Sequence, residues 1–203
     1  MTEPTHALKT LLATDDVDID AIAQTLDTLD SDARVDAIRS LGKKAQVRLW
    51  NAAEGRATSL ADVVPSDVDS AVEVIHAGKN SLPLFTKFEK RFCRVAGDES
   101  VLYGYNEGPT RKFVGPGYFV TSFDADRGEV GINYYQTPPE DAVLPEGWPT
   151  IRPNERGISR LVYAKMIDYL RQVSTHVTIG RAVRKGKTTN NYFLLCRTPS
   201  TKS

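Results

Sequence analysis

The chain has 203 residues, 40% of them hydrophobic, and its 26 Lys and Arg are balanced by 26 Asp and Glu. This is enough apolar material for one large domain or a domain with a helical appendage, and it excludes wholesale disorder. No apolar run reaches the roughly 18 residues that span a bilayer, the start lacks the layout of a secretory signal, and Cys93 and Cys196 form no disulfide framework. The expectation is a soluble, cytoplasmic protein without membrane insertion.

The neutral total hides an asymmetry. Residues 1–75 carry 14 acidic and 7 basic side chains, and Trp50 is their only aromatic residue; the other sixteen aromatics follow. The chain therefore reads as an acidic helical unit over 1–75 and a basic, aromatic-rich unit over 76–203. The acidic unit either solvates a helical surface or packs against the basic unit and controls access to it.

In the front half, apolar residues recur at three- and four-residue spacing. Ala21, Ile22, Leu26 and Leu29 form one stripe, with Asp18 and Asp20 as N-cap candidates. Ser31 is a cap candidate for the next, in which Val35, Ile38 and Leu41 precede Gly42. Val47, Leu49 and Trp50 precede Gly55, a natural helix stop, and a short segment carries Val72 and Ile75. Short helices with short connections predict an antiparallel cluster. The segment His76–Pro83 reads as a hinge, with His76, Lys79 and Asn80 as a polar group on a turn. A short helix carrying Leu84, Phe85 and Phe88 follows. The charges at Lys87, Glu89, Lys90 and Arg91 fall on both parities of a strand, so the changeover from helix to strand is not fixed to a residue.

From about residue 90 the period becomes two. Phe92–Val95 and Val101–Tyr105 form one hairpin, Tyr118–Phe123 and Val130–Tyr135 a second, and His176–Val183 and Asn191–Cys196 a third. Between the second and third lies a Pro-rich segment and then a helical stripe of Ile158, Leu161, Val162, Met166, Tyr169, Leu170 and Val173, which predicts one long helix over about 157–173. The fold expected is α+β: an N-terminal helical cluster, then an antiparallel, partly barrelled six-stranded sheet covered by that helix.

Familiar chemical motifs are absent. Gly180 to Gly186-Lys187-Thr188 has five residues between its glycines where a phosphate-binding loop needs four, and it joins two strands. Gly117–Phe123 lacks the small residue that lets neighbouring aromatics of an RNA-recognition strand share a face. The histidines His6, His76 and His176 have no metal-ligand spacing, so no metal site is predicted, and no cofactor is named by any motif.

Strand parity supplies the site candidates. Arg181 shares a face with apolar Val177, Ile179 and Val183, where its charge must snorkel, meet an acid or bind an anion. Tyr103 and Tyr105 share one parity, and Tyr134 shares a face with Val130 and Ile132, each able to place a phenol in an apolar interior. Tyr118, on a rim containing Gly115 and Gly117, with Asn106 and Trp148, completes an amphipathic mouth. His176, following the expected long helix, is the catalytic candidate, favoured in its protonated form by a helix C-terminus.

Three functions fit. The first is a cup binding an anionic or amphipathic small molecule through Arg181, Tyr103, Tyr105, Asn106, Tyr118 and Tyr134. The second is an enzyme using the same pocket, with His176 or a tyrosine as acid/base. The third is nucleic-acid or polyanion binding by the C-terminal half, where eleven Lys and Arg from residue 150 onward face only Glu155 and Asp168 as acids.

Overall fold

A computed structural model describes residues 3–83, 86–109, 111–154 and 162–199. The described chain runs through helices α1 (Glu3–Leu11), α2 (Ile19–Asp27), α3 (Ser31–Arg39), α4 (Lys43–Ala52) and α5 (Leu60–Val63), then strands β1 (Val74–Asn80), β2 (Lys87–Val95) and β3 (Asp98–Glu107). After a single turn, α6 (Arg111–Val114), come β4 (Phe119–Asp124), β5 (Glu129–Asn133), β6 (Met166–Gln172), β7 (Val177–Arg184) and β8 (Lys187–Arg197). The eight strands pair in chain order, and β1 pairs with β8 to close an antiparallel barrel.

The sheet is therefore eight-stranded and closed, not six-stranded and partly barrelled. One added strand is β1, where a hinge was expected. The other is β6, which replaces the C-terminal half of the expected long helix; residues 155–161, its N-terminal half, lie outside the described residues. The physical reason is that Met166–Gln172 satisfies both periods. The helical stripe through Met166, Tyr169 and Leu170 is real, yet the segment also alternates, with Ile167, Tyr169 and Arg171 on one face and Met166, Asp168 and Leu170 on the other. Pairing with β5 and β7 on both sides decides for the strand.

Alternation sorts the barrel into an interior and an exterior. Phe92, Leu102, Phe119, Val130, Ile132, Leu170, Phe193 and Leu195 fill the interior. Space for the rings comes from glycines on the same face. A Cβ on Gly104 would lie 2.3 Å from the Phe119 ring and 2.4 Å from the Arg91 carbonyl oxygen, and one on Gly180 would lie 2.1 Å from the Phe193 ring. The outer face of β7, β8 and β1 is apolar too: Ala77, Val177, Ile179, Tyr192, Leu194 and Cys196 share a core with Leu8, Ile22, Leu26, Ile38, Leu49 and Trp50 of the helices.

The helices form where their caps and stripes direct. Asp18 caps α2 by accepting from the Asp20 and Ala21 amides, and Asp30, one residue before the expected Ser31, caps α3 through Ala33. The buried Arg34 guanidinium donates to the Leu26 and Leu29 carbonyl oxygens at 2.9 and 2.5 Å, which ties the α2–α3 turn together. Arg171 of β6 stacks 3.9 Å from the Trp50 ring, donates to the Trp50 carbonyl oxygen and pairs with Glu129 at 2.6 Å, clamping α4 to the barrel wall.

One end of the barrel is plugged. The α5 segment, started by a Ser59–Asp62 capping box, places Val63 and Val64 in the interior cluster with Val74, Phe92 and Leu102. His76, facing inward from β1 and 1% exposed, contacts the plug: its Nε2 lies 2.8 Å from the Val63 carbonyl oxygen, which only accepts, so Nε2 carries the proton. Among the described residues no helix is long and apolar enough to cross a membrane.

Two outcomes follow from this packing. Gly104→Ala should destabilise the protein by about 1–3 kcal/mol in urea denaturation, because the added methyl meets backbone as well as a ring. Burial lowers His76 from 6.5 to about 4, so the unfolded chain binds more protons between those values. The stability owed to neutral His76 is complete above the unfolded value and is lost as pH falls toward 4, about 3 kcal/mol in all. The difference in unfolding free energy between wild type and His76→Gln should shrink accordingly over that window.

Candidate functional site

The end opposite the plug holds a cavity of about 500 Å³. Its walls come from one end of six strands: Asn80 of β1, Lys87 and Phe88 of β2, Asn106 and Glu107 of β3, Met166 and Asp168 of β6, Ala182 and Arg184 of β7, and Asn191 and Phe193 of β8. Up-and-down pairing brings these positions to one rim, because alternate strands arrive by their N- and C-termini. Leu82, Pro109, Arg111, Val114, Val162 and Tyr163 extend the wall beyond the strands. The lining is mainly apolar, as small-molecule pockets are. Leu82 and Val162 at its edge are 44% and 41% exposed, and Phe113 on α6 is 79% exposed.

Four polar side chains meet at the cavity floor. Lys90 of β2, between Phe88 and Phe92 on the inward parity, sends its Nζ to Asp168 Oδ2 at 3.2 Å and Asn106 Oδ1 at 3.0 Å, and also touches the Tyr134 hydroxyl. Tyr134, just past β5, donates between the Asp168 and Asn106 oxygens, each 3.3 Å away. Asn106 is oriented by donating from Nδ2 to the Gly117 carbonyl oxygen. The rings of Phe119, Tyr134 and Phe193 surround the ammonium at 5.0–5.2 Å from their centroids. Tyr163 stacks on Tyr134 at 5.4 Å.

Burial dominates the electrostatics. It draws the Lys90 ammonium below its ordinary value, opposed by the Asp168 charge, and it raises the Asp168 carboxyl, opposed by Lys90. Tyr134 is held well above the usual phenol value by burial and by Asp168, and burial pushes Tyr163 up to about 12. Both phenols stay protonated and serve as donors. Among the described residues the balance at the rim is positive: Lys87, Arg111 and Arg184 accompany one acid, Glu107, which pairs with Arg111 at 2.7 Å.

Of the residues singled out from sequence, Asn106 and Tyr134 line this cavity and touch each other. Tyr103 and Tyr105 share a face as expected, but it is the outer one. Tyr105 packs with Tyr118 and Trp148 at 5.6 and 4.9 Å in an aromatic cluster outside the barrel, where Trp148 donates to Glu73 and Tyr118 to the Pro149 carbonyl oxygen. Arg181 also points outward, 5.0 Å from the Tyr192 ring centroid and donating to the Thr189 carbonyl oxygen. It lines a smaller recess of about 110 Å³ with Trp50, Arg127, Glu129 and Arg171. His176 sits at the plugged end, before β7, with Nδ1 3.3 Å from Arg197. The strand β6, not a helix, precedes it, and burial and the charges of Arg34 and Arg197 favour the neutral ring, opposed by Asp27 at the end of α2. Among the described residues no group of three His, Cys, Asp or Glu side chains is placed to hold a metal ion.

Lys90 is not among the residues the sequence singles out, and Asp168 stands out there only as one of two acids after residue 150. The parity argument applied to Arg181 also fits them, since Lys90 alternates with Phe88 and Phe92 and Asp168 with Met166 and Leu170. The mixed charges around Lys90 and the helical reading of Asp168 concealed it.

Breaking the pair leaves one buried charge without its partner. Asp168→Leu should cost about 3–5 kcal/mol of stability, and the Lys90→Met/Asp168→Leu double variant should recover most of it in a double-mutant cycle by chemical denaturation. Compared with protein-family models, curated proteins and solved structures, the chain matches none significantly.

Proposed function

We propose that the protein binds an amphipathic small molecule inside its barrel. The observation that carries this reading is a cavity of about 500 Å³ whose apolar walls end, at the floor, in the buried cluster of Lys90, Asn106, Tyr134 and Asp168. An eight-stranded barrel is wide enough either to be filled by its own side chains or to hold one small ligand. This barrel does the first at the plugged end, with Phe92, Phe119 and Leu102, and leaves room for the second at the other. Apolar walls supply affinity in proportion to the area they remove from water, while a few fixed polar groups orient the bound molecule.

The ligand favoured has an apolar body and one hydrogen-bonding end that replaces part of the floor network. Basic Lys87, Arg111 and Arg184 at the rim favour approach of a molecule with negative charge or strong acceptors. The exposed Leu82, Val162 and Phe113 give its apolar part a first contact.

The test is titration with anilinonaphthalene sulfonate, an anionic amphipathic fluorophore, followed by displacement with decanoate. Saturable binding with a blue-shifted emission is expected. Ala182→Trp, which projects an indole into the cavity, should abolish it, and Lys87→Glu with Arg111→Glu should weaken it by about tenfold, roughly 1.4 kcal/mol. Binding that Ala182→Trp leaves unchanged would place the probe elsewhere and overturn the reading.

A further inference from the structure

We infer that Lys90 is a covalent anchor: its Nζ, on the cavity floor beside the Asp168 carboxylate and the Tyr134 hydroxyl, captures the carbonyl carbon of an apolar aldehyde or ketone as a Schiff base. This rests on the ligand-cup reading and deepens it by naming the reactive class of the ligand.

The placement of Lys90 carries the argument. Its residue is 2% exposed to bulk solvent, yet it lines the cavity, so it meets a molecule in the barrel and little else. Simple stability would be served as well by a hydrophobic residue, because a buried ion pair repays its desolvation poorly. An amine there needs an acid to take and return its proton, a donor for the developing oxyanion and a counter-ion for the product. Asp168 at 3.2 Å and Tyr134, in contact, fill these roles. Phe119, Tyr134 and Phe193 surround the nitrogen and disfavour the water that would hydrolyse an imine. Lys87, the other lysine among the described cavity-lining residues, is exposed to solvent.

The steps balance. The Lys90 ammonium passes one proton to Asp168, which is eased because burial weakens the ammonium and the carboxylate alike. The free amine pair then attacks the carbonyl carbon while the C=O π pair moves to oxygen, with the Tyr134 hydroxyl donating a hydrogen bond to the forming oxyanion. A proton moves from nitrogen to that oxygen, giving a neutral carbinolamine. Asp168 returns its proton to the carbinolamine hydroxyl, water leaves with the C–O pair, and the nitrogen pair closes the C=N bond. The product is an iminium cation paired with the Asp168 carboxylate. One water is released, and no oxidant or reductant is consumed.

The experiment uses the full chain with 2-naphthaldehyde as the carbonyl probe and 2-naphthalenemethanol as its non-carbonyl match. Sodium cyanoborohydride traps any iminium, and intact-mass and peptide mass spectrometry locate the naphthylmethyl group. One adduct per chain is expected, on Lys90, forming about tenfold faster than on exposed lysines such as Lys44 and Lys87. The alcohol should compete with its formation, and Lys90→Gln should give no adduct in the barrel. If Lys90→Gln does not fold, the map of adducts on the wild-type chain decides alone. Binding of the alcohol with no adduct at Lys90, or adducts spread evenly over the lysines, would overturn the covalent anchor and leave the cup standing. Failure of aldehyde, alcohol and sulfonate fluorophore alike to bind would overturn both.

Discussion

Everything in this molecule depends on the pairing of β1 with β8. Five residue pairs, from His76 with Arg197 to Asn80 with Phe193, join the first strand to the last. Without them the sheet would have two edges and its inward side chains no opposite wall. With them, each inward position faces others across a fixed width, and that width limits what can occupy the centre. Gly104 and Gly180 exist within this constraint, since the rings of Phe119 and Phe193 cross the interior where a Cβ would otherwise stand. The same geometry gathers Lys90 of β2, Asn106 of β3, Asp168 of β6 and Tyr134 from the turn after β5 to one point.

The alternation in β7 shows what sequence conveys and where it stops. That Val177, Ile179 and Arg181 share one face could be read directly, and they do. Which face turns inward could not, because both are covered: Thr178, Gly180 and Ala182 look into the barrel, while Val177 and Ile179 pack against the helices. The apolar parity marks the inside only where the other side meets water. Tyr134 was legible because only one parity of β5 carries apolar side chains, Val130 and Ile132, the other being Glu129, Gly131 and Asn133. Around Lys90 the charges on the opposite parity, Glu89 and Arg91, form an outer pair with each other, and Arg91 also meets Glu73. Their presence made a buried charge look like one more surface charge. Asp168 was hidden by a period ambiguity that only β5 and β7 resolve.

The electrical asymmetry of the chain has a structural counterpart. The acidic front segment packs on the outside of β7, β8 and β1 through apolar contacts, supplemented by the Asp27 carboxylate accepting from Thr175 and by the Arg171 clamp on Trp50. Among the described residues, none that lines the cavity comes from that segment. Its acids thus stand apart from the basic rim, and the positive character of the mouth is not cancelled by direct contact with them.

The plug of Val63 and Val64, held to His76, makes the barrel a vessel and not a conduit. On the proposed reading, a molecule that enters must leave past the same residues that admitted it, so no arrangement of the mouth can hasten arrival by lowering the barrier without hastening departure as well. Retention must therefore come from the floor. In a blind chamber of this kind the mouth sets how fast a molecule comes and goes, while the floor sets how tightly it is held.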